Sequence, residues 1–263
     1  MKKPGISVCF VIRNGMRNGY PFWESLNSCL DFADEIVISE GHSDDDTYVY
    51  MEKFRYLHPE KVKLFRTNWK KSAHGEVIAT VSSEALKRCS HEWVYYLQAD
   101  EIIHEDNWQF IKGISEGKQG KVNSVKFMFN HFIGSWTPLP KGAAAYSAAI
   151  RMVRNVPSIS LMGDAWTFEG GIDPVVAPTM PPKPIYHLGW VFPKNCDEKS
   201  ISHAKIYSSM PAYQEQADKA KKRQSEGYDG EVGLPKPDNF DDFPIGVERL
   251  LGMFEYEPPD EAK

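Results

Sequence analysis

The sequence predicts an α/β fold with a mostly parallel central sheet, helices on both faces and a C-terminal helical extension. Two observations carry this. Four short apolar runs, at 6–13, 35–39, 62–66 and 93–97, alternate with segments whose apolar residues recur at helical spacing. Such alternation implies parallel strands joined by right-handed crossovers. The fourth run then ends in the adjacent carboxylates Asp100 and Glu101. Carboxylates cannot cheaply stay in a core. At the carboxyl end of a strand they face the crevice where open α/β sheets bind ligands. An ordinary polar strand end is the plain alternative. Hard oxygen donors at such a place suit Mg²⁺ or Mn²⁺, which in turn can hold a diphosphate.

The elements follow in order. Residues 6–13, short, β-branched and almost continuously apolar, read as a buried strand broken by Asn14-Gly15. Pro21 suits a first helical turn, and Phe22, Leu26, Cys29, Leu30 and Ala33 follow at helical spacing. Residues 35–39 form the second strand, leaving through Glu40-Gly41-His42-Ser43 into Asp44-Asp45-Asp46-Thr47. A helix carrying Tyr50, Phe54 and Leu57 must stop before Pro59. The third strand is 62–66, an amphipathic helix covers 72–89, and the fourth strand is 93–97. After Glu101 the pattern changes: longer strands at 123–134 and 145–155, another at 185–192, and polar helices over 198–209 and 212–224. From Ser225 the chain is rich in Gly, Pro and Asp and reads as an irregular tail, with one short helix near 247–253. The Pro-rich loop 174–184 reads as the mobile segment of the main domain.

Composition sets bounds. At 263 residues, 41% hydrophobic and 25% charged, the chain can bury a sizeable core without staples. Its four scattered cysteines contain no CxxC, which argues against zinc and for reduced thiols in a cytoplasmic setting. Pro4-Gly5 after two lysines is not a signal peptide, and no stretch is long enough to span a bilayer. A net charge of −5 gives no global field for nucleic acid, and Lys70-Lys71 reads as solvated surface. There is no G-x-x-x-x-G-K-[ST], and Gly15 and Gly19 do not make G-x-G-x-x-G, so P-loop and dinucleotide enzymes fit poorly.

One combination is more specific. ISVCFVIRNG, a helix, FADEIVISEGHSDDDT, VKLFRTNW, a second helix and WVYYLQADE together resemble the first half of family 2 glycosyltransferases. The nearest pattern is the bacterial subgroup reading "WADEIVVVDSGSTDGT" and "LDADE". The resemblance is strong over about 5–110 and continues more weakly through MVRN, GDAW and YHLGW to about 192. It implies a GT-A fold over 1–192, with a nucleotide-binding half at about 1–110 and an acceptor half at about 111–192. Residues 193–263 are then a helical extension and irregular tail. It also implies metal-dependent, inverting transfer of a hexosyl or pentosyl group from a nucleotide-diphosphate sugar, a UDP-sugar first, to an acceptor hydroxyl or similar nucleophile, with Mn²⁺ or Mg²⁺ as cofactor.

The resemblance assigns roles residue by residue. Ile12, Arg13 and Asn14 border the nucleotide base, and Glu40 stands where an Asp usually reads base or ribose. Asp44 to Asp46 match the "STDGT" turn and cap the next helix or touch donor. His74 lies where a basic or polar residue approaches the diphosphate, unless it is simply surface. LQADE matches the family's D-x-D with Gln98 for the first Asp, so Gln98 and Ala99 border the donor and the metal rests on Asp100 with Glu101 nearby. His187 in YHLGW supplies a later ligand or is a strand-end His satisfied by backbone. Asp164 in GDAW is the expected base, with Glu169 second; Trp166 stacks on a sugar or packs.

Two other classes stay open. A nucleotidyltransferase can share this sheet, although Arg13-Asn14-Gly15-Met16-Arg17 is only a faint echo of its glycine-rich loop. A non-catalytic sugar-nucleotide or glycan-binding module is suggested by Gln98. The acceptor is not identified: a glycan, a lipid-linked saccharide, a protein or a nucleic-acid base would each suit.

Overall fold

The computed structural model describes residues 2–69, 77–118, 120, 122–140, 142, 146–170, 177, 179–206, 211–226, 243–251, 253 and 255–260. Its first half alternates as expected: β1 (Lys3–Ile12), α1 (Phe22–Asn27), β2 (Glu35–Glu40), α2 (Thr47–Leu57), β3 (Val62–Arg66), α3 (Val77–Leu86) and β4 (His91–Gln98). The period of two along β1 sorts its side chains between two layers. Ile6, Val8 and Phe10 join Phe22 and Leu26 of α1 and Met51 and Phe54 of α2. Cys9 and Val11 face the other way, with Ala79, Ala85 and Leu86 of α3. Helices therefore cover both faces, and β1 is apolar on both.

The second half adds β5 (Glu101–Ile103), α4 (Trp108–Ser115), β6 (Ser124–Ile133), β7 (Ala148–Arg154), β8 (Ser160–Met162), β9 (Thr167–Glu169), β10 (Ile185–Trp190), α5 (Pro193–Ile206) and α6 (Pro211–Glu226). One eight-stranded sheet runs β3-β2-β1-β4-β7-β6-β10-β5, and β8 pairs with β9 in a separate hairpin. Four of its seven pairings are parallel. β7 lies antiparallel to both β4 and β6, so the two halves share a single sheet. β5, α4 and the β8–β9 hairpin have no counterpart among the elements the sequence predicts. The helix expected over 198–209 starts earlier, at Pro193, a residue suited to a first helical turn. The described end of the Pro-rich loop is tied down: the Asn107 side chain accepts from Lys183 N and donates to Lys183 O, each at 3.0 Å.

The C-terminal residues return to the start of the fold. Tyr256 is 1% exposed, packed edge-on to Phe22 with ring centroids 5.4 Å apart. Its hydroxyl donates to Glu24 Oε2 at 3.1 Å, and Arg249 Nε donates to Glu24 Oε1 at 2.6 Å. Burial pushes Glu24 up, only partly offset by Arg249. Among the described residues no helix is long and apolar enough to cross a membrane. Cys9, Cys29, Cys89 and Cys196 are free thiols.

Candidate active site

The chain leaves β1 outward to β2 and β3, then returns to β4 on the other side of β1. The crevice between the carboxyl ends of β1 and β4 is thus a point where strand order reverses, the usual ligand position in such sheets. A cavity of about 940 Å³ opens there, lined by Ile12, Arg13 and Asn14 after β1 and by Gln98, Ala99 and Asp100 after β4.

The loops after β1 and β2 are laced together. Asn14 adopts φ 52°, a left-handed conformation that Asn tolerates better than most residues. Its N–H donates to Ser43 Oγ at 2.8 Å and its Oδ1 accepts from Asp44 N at 3.0 Å. Asp45 Oδ1 accepts from Thr47 N, the first N–H of α2, at 3.0 Å, while Asp44 pairs with Arg17 at 2.8 Å on the cavity wall. Glu40 is placed differently from its expected donor-reading role. It is fully buried and accepts from His42 N at 3.1 Å, Ser43 N at 2.6 Å and Arg66 Nε at 2.7 Å. Burial raises its carboxyl, but these donors outweigh that and hold it below its ordinary value. Glu40 shapes the loop and does not line the cavity.

At the end of β4 a two-residue turn sends the chain to the far edge of the sheet, where Glu101 of β5 pairs with His187 of β10. Leu188 N donates to Asp100 O at 2.8 Å. The turn sets Asp100 Oδ2 3.6 Å from His187 Nε2 and 3.2 Å from Lys199 Nζ of α5. Burial raises the Asp100 carboxyl, but the lowering influences, the Lys199 ammonium first and His187 next, outweigh it and bring it to about 2. Burial pushes His187 down to about 4, with Asp100 opposing, so its imidazole is neutral at pH 7. Lys199 also donates to Gly189 O at 3.0 Å. A Cβ on Gly189 would lie 2.0 Å from Asp100 Oδ2 and 2.6 Å from Lys199 Nζ. Gly189→Ala is therefore expected to destabilise the fold by about 1–3 kcal/mol through overpacking, read by urea unfolding. Unchanged stability would mean that these groups do not meet as described.

Glu101 also departs from expectation. It is fully buried, and both its oxygens accept from Arg151, at 2.6 and 3.0 Å to Oε1 and 3.1 Å to Oε2. Arg151 Nη1 further donates to Trp166 O at 3.2 Å. The pair thus ties the end of β4 to the loop before β9. That loop presents Asp164 and Trp166 to the cavity, with Trp166 48% exposed. Gly163 at φ 60° and Ala165 at φ 53° flank Asp164 with left-handed backbone. Such strain is unusual for Ala and is characteristic of functional loops. Glu169, the second choice for base, sits on β9 outside the cavity lining, with its Oε1 accepting from Ser160 Oγ at 3.2 Å. His74 lies outside the described residues.

The expected Mn²⁺ or Mg²⁺ can be tested against these donors. Gln98 brings no charge, Glu101 spends both oxygens on Arg151, and an ammonium already sits on Asp100. Among the described residues no group of three His, Cys, Asp or Glu side chains is placed to hold a metal ion. A hard divalent ion wants several oxygen donors, carboxylates foremost. His187, 3.6 Å from Asp100 Oδ2, adds one neutral nitrogen, and with Asp100 that makes only two of the expected donors, so the set among the described residues does not fit one.

The structure therefore brings Ile12, Arg13, Asn14, Gln98, Ala99, Asp100, Asp164, Trp166 and His187 to one cavity and leaves Glu40, Glu101 and Glu169 outside its lining. Sequence reasoning missed Lys199, Arg151, and also His131, which stands beside His187 in register and lines the cavity. Arg151 left a signal, an arginine in the middle of an apolar strand. Lys199 left a weaker one: with Ser202 and His203 it forms an i, i+3, i+4 face, and all three line the cavity.

No family model matches the sequence, and no curated protein matches it. Among solved structures, residues 1–349 of S. aureus TarS in complex with UDP are similar at 12% identity and TM-score 0.45, over 85% of this chain and 72% of that one. The same protein in complex with UDP-GlcNAc gives 13% identity and TM-score 0.44 over 84% and 73%. Mannosyltransferase PcManGT from Pyrobaculum calidifontis, in complex with GDP-Man and Mn²⁺, gives 16% identity and TM-score 0.36 over 47% and 35%.

Proposed function

We propose that this chain is a GT-A-type glycosyltransferase that moves a sugar from a nucleotide-diphosphate sugar to an acceptor hydroxyl with inversion. The observation that carries this reading is the cavity at the β1/β4 reversal, lined both by Asp100 at the strand exit and by Asp164 on the strained loop. In this reading residues 1–110 hold the nucleotide, with Ile12, Arg13 and Asn14 at the base and Gln98 and Ala99 nearby. Residues 111–192 serve the acceptor, and Trp166 offers a sugar face to stack on. Asp164 takes the acceptor's hydroxyl proton as that oxygen bonds to the anomeric carbon. The bond from that carbon to the diphosphate breaks, and its electron pair leaves on the phosphate oxygen. General-base help of this kind is worth about 10²–10⁴ in rate. These steps are carried by the chain's own residues, since the donors among the described residues do not fit Mn²⁺ or Mg²⁺. A UDP-sugar is the first donor to try, and four free thiols suit a cytoplasmic setting.

A screen of nucleotide sugars, reading hydrolysis and thermal stabilisation together, tests the reading. At least one donor class is expected to raise the melting temperature and to be turned over. Stabilisation without turnover for any acceptor would favour a binding module. No stabilisation by any nucleotide sugar or nucleoside diphosphate would remove the nucleotide site altogether.

A further inference from the structure

Resting on that reading, we propose that Lys199 is the cation that receives the donor's diphosphate, so that the site binds a nucleoside diphosphate without a divalent metal ion. The ammonium is held, not loose. Its side chain is 3% exposed, yet it lines the cavity. Nζ lies 4.7 Å from the centre of the Tyr20 ring and 4.6 Å from that of Trp190, a cage that fixes it on two aromatic faces. Asp100 and Gly189 O take two of its donors, and an ammonium has three. Among the described residues this leaves one N–H for a ligand oxygen, on an ammonium already partly dehydrated. Preorganised donors of this kind need little rearrangement when charge arrives.

The surroundings agree. Asp100 and Lys199 balance one another, one negative charge against one positive. A divalent ion on Asp100 would have to sit beside that ammonium, and like charges at such separations repel strongly where water is excluded. Moving Lys199 aside is obstructed by the two rings. Gly189 also belongs to this design, since only a residue without a Cβ lets the carboxylate and ammonium close over its backbone. Arg13 and Arg17 line the same cavity beside the β1 loop. They give the second phosphate a further cationic edge, although Arg17 already shares its charge with Asp44. α5 is therefore a working wall of the site.

The test is calorimetric titration of the full chain with UDP, and with GDP, CDP and ADP in parallel, in excess EDTA and then in Mn²⁺. The wild type is expected to bind its preferred diphosphate with affinities equal to within about threefold in the two conditions. In EDTA, Lys199→Met should weaken binding about 30-fold and Lys199→Arg much less, as expected for loss of a hydrogen bond from a charged donor. Binding by the wild type only in Mn²⁺ would overturn the proposal and leave the glycosyltransferase reading intact. So would undiminished binding by Lys199→Met in EDTA. Failure of every diphosphate to bind in both conditions would take down the parent reading, and this one with it. The wild-type comparison does not depend on any variant folding, and circular dichroism of the two variants guards the rest.

Discussion

Asp164→Asn is expected to retain nucleotide binding while transfer falls by about 10²–10⁴. Asn has the shape of Asp and keeps one acceptor oxygen, but it cannot take a proton at neutral pH. Asp164 is exposed on the cavity wall, and its loop is held by Arg151 through the Trp166 carbonyl. The substitution keeps the side chain's shape and removes its proton-accepting group, and circular dichroism checks that the fold is kept. Turnover of a donor sugar gives the rate, and calorimetry with the free diphosphate gives binding. Glu169→Gln serves as the control and should transfer at near the wild-type rate, since Glu169 faces away onto the hairpin with Ser160. The opposite pattern, a silent Asp164→Asn and a dead Glu169→Gln, would move the base to Glu169.

The largest effect on stability is expected at Arg151. Arg151→Met leaves Glu101 in the core with no cation, and breaking a buried pair in this way typically costs about 3–5 kcal/mol. Burial already pushes Glu101 up, and Arg151 is the main influence holding it down. The deficit, measured by urea unfolding, should shrink on acidification. Without Arg151 the folded chain holds a proton on Glu101 more tightly than the unfolded chain does, so stability returns as pH falls through that raised value. The double variant Arg151→Met/Glu101→Leu should recover much of the loss, because an apolar pair of similar volume needs no charge partner. A single variant as stable as the wild type would mean that water reaches the pair.

The parts of this fold that were legible in the sequence are those where burial repeats itself. β1, β2 and β4 are buried on both faces, so their residues read as continuous apolar runs whatever surrounds them. α4 and the three-residue strands β5, β8 and β9 escaped notice. Strands that short cannot establish a period, and what holds β5 is a partner more than eighty residues away. The site divides in the same way. Asp100 was legible because a carboxylate at the end of an apolar run has a local cost that needs an explanation. Glu101 has the same local signature, and only the distant Arg151 decides that it turns inward. Glu40 shows a related limit: a carboxylate that organises its own loop and one that reads a ligand look alike until its hydrogen bonds are known. Lys199 sits in a polar helix where lysines are common, and its i, i+3, i+4 face with Ser202 and His203 does not say that it folds back over β10.

The attachment of Glu24 to Arg249 and Tyr256 has a consequence for the order in which the protein can mature. The carboxylate and its arginine are 225 residues apart. At ribosomal speeds of about 5–20 residues per second, α1 waits on the order of 10–45 s after its own synthesis for the segment that covers it. During that interval Glu24 stays hydrated, and Phe22 and Trp23 lack the tyrosine that later packs beside them. The parallel strands β1 to β4 can collapse early, but this corner of the molecule closes only once Arg249 and Tyr256 have been made.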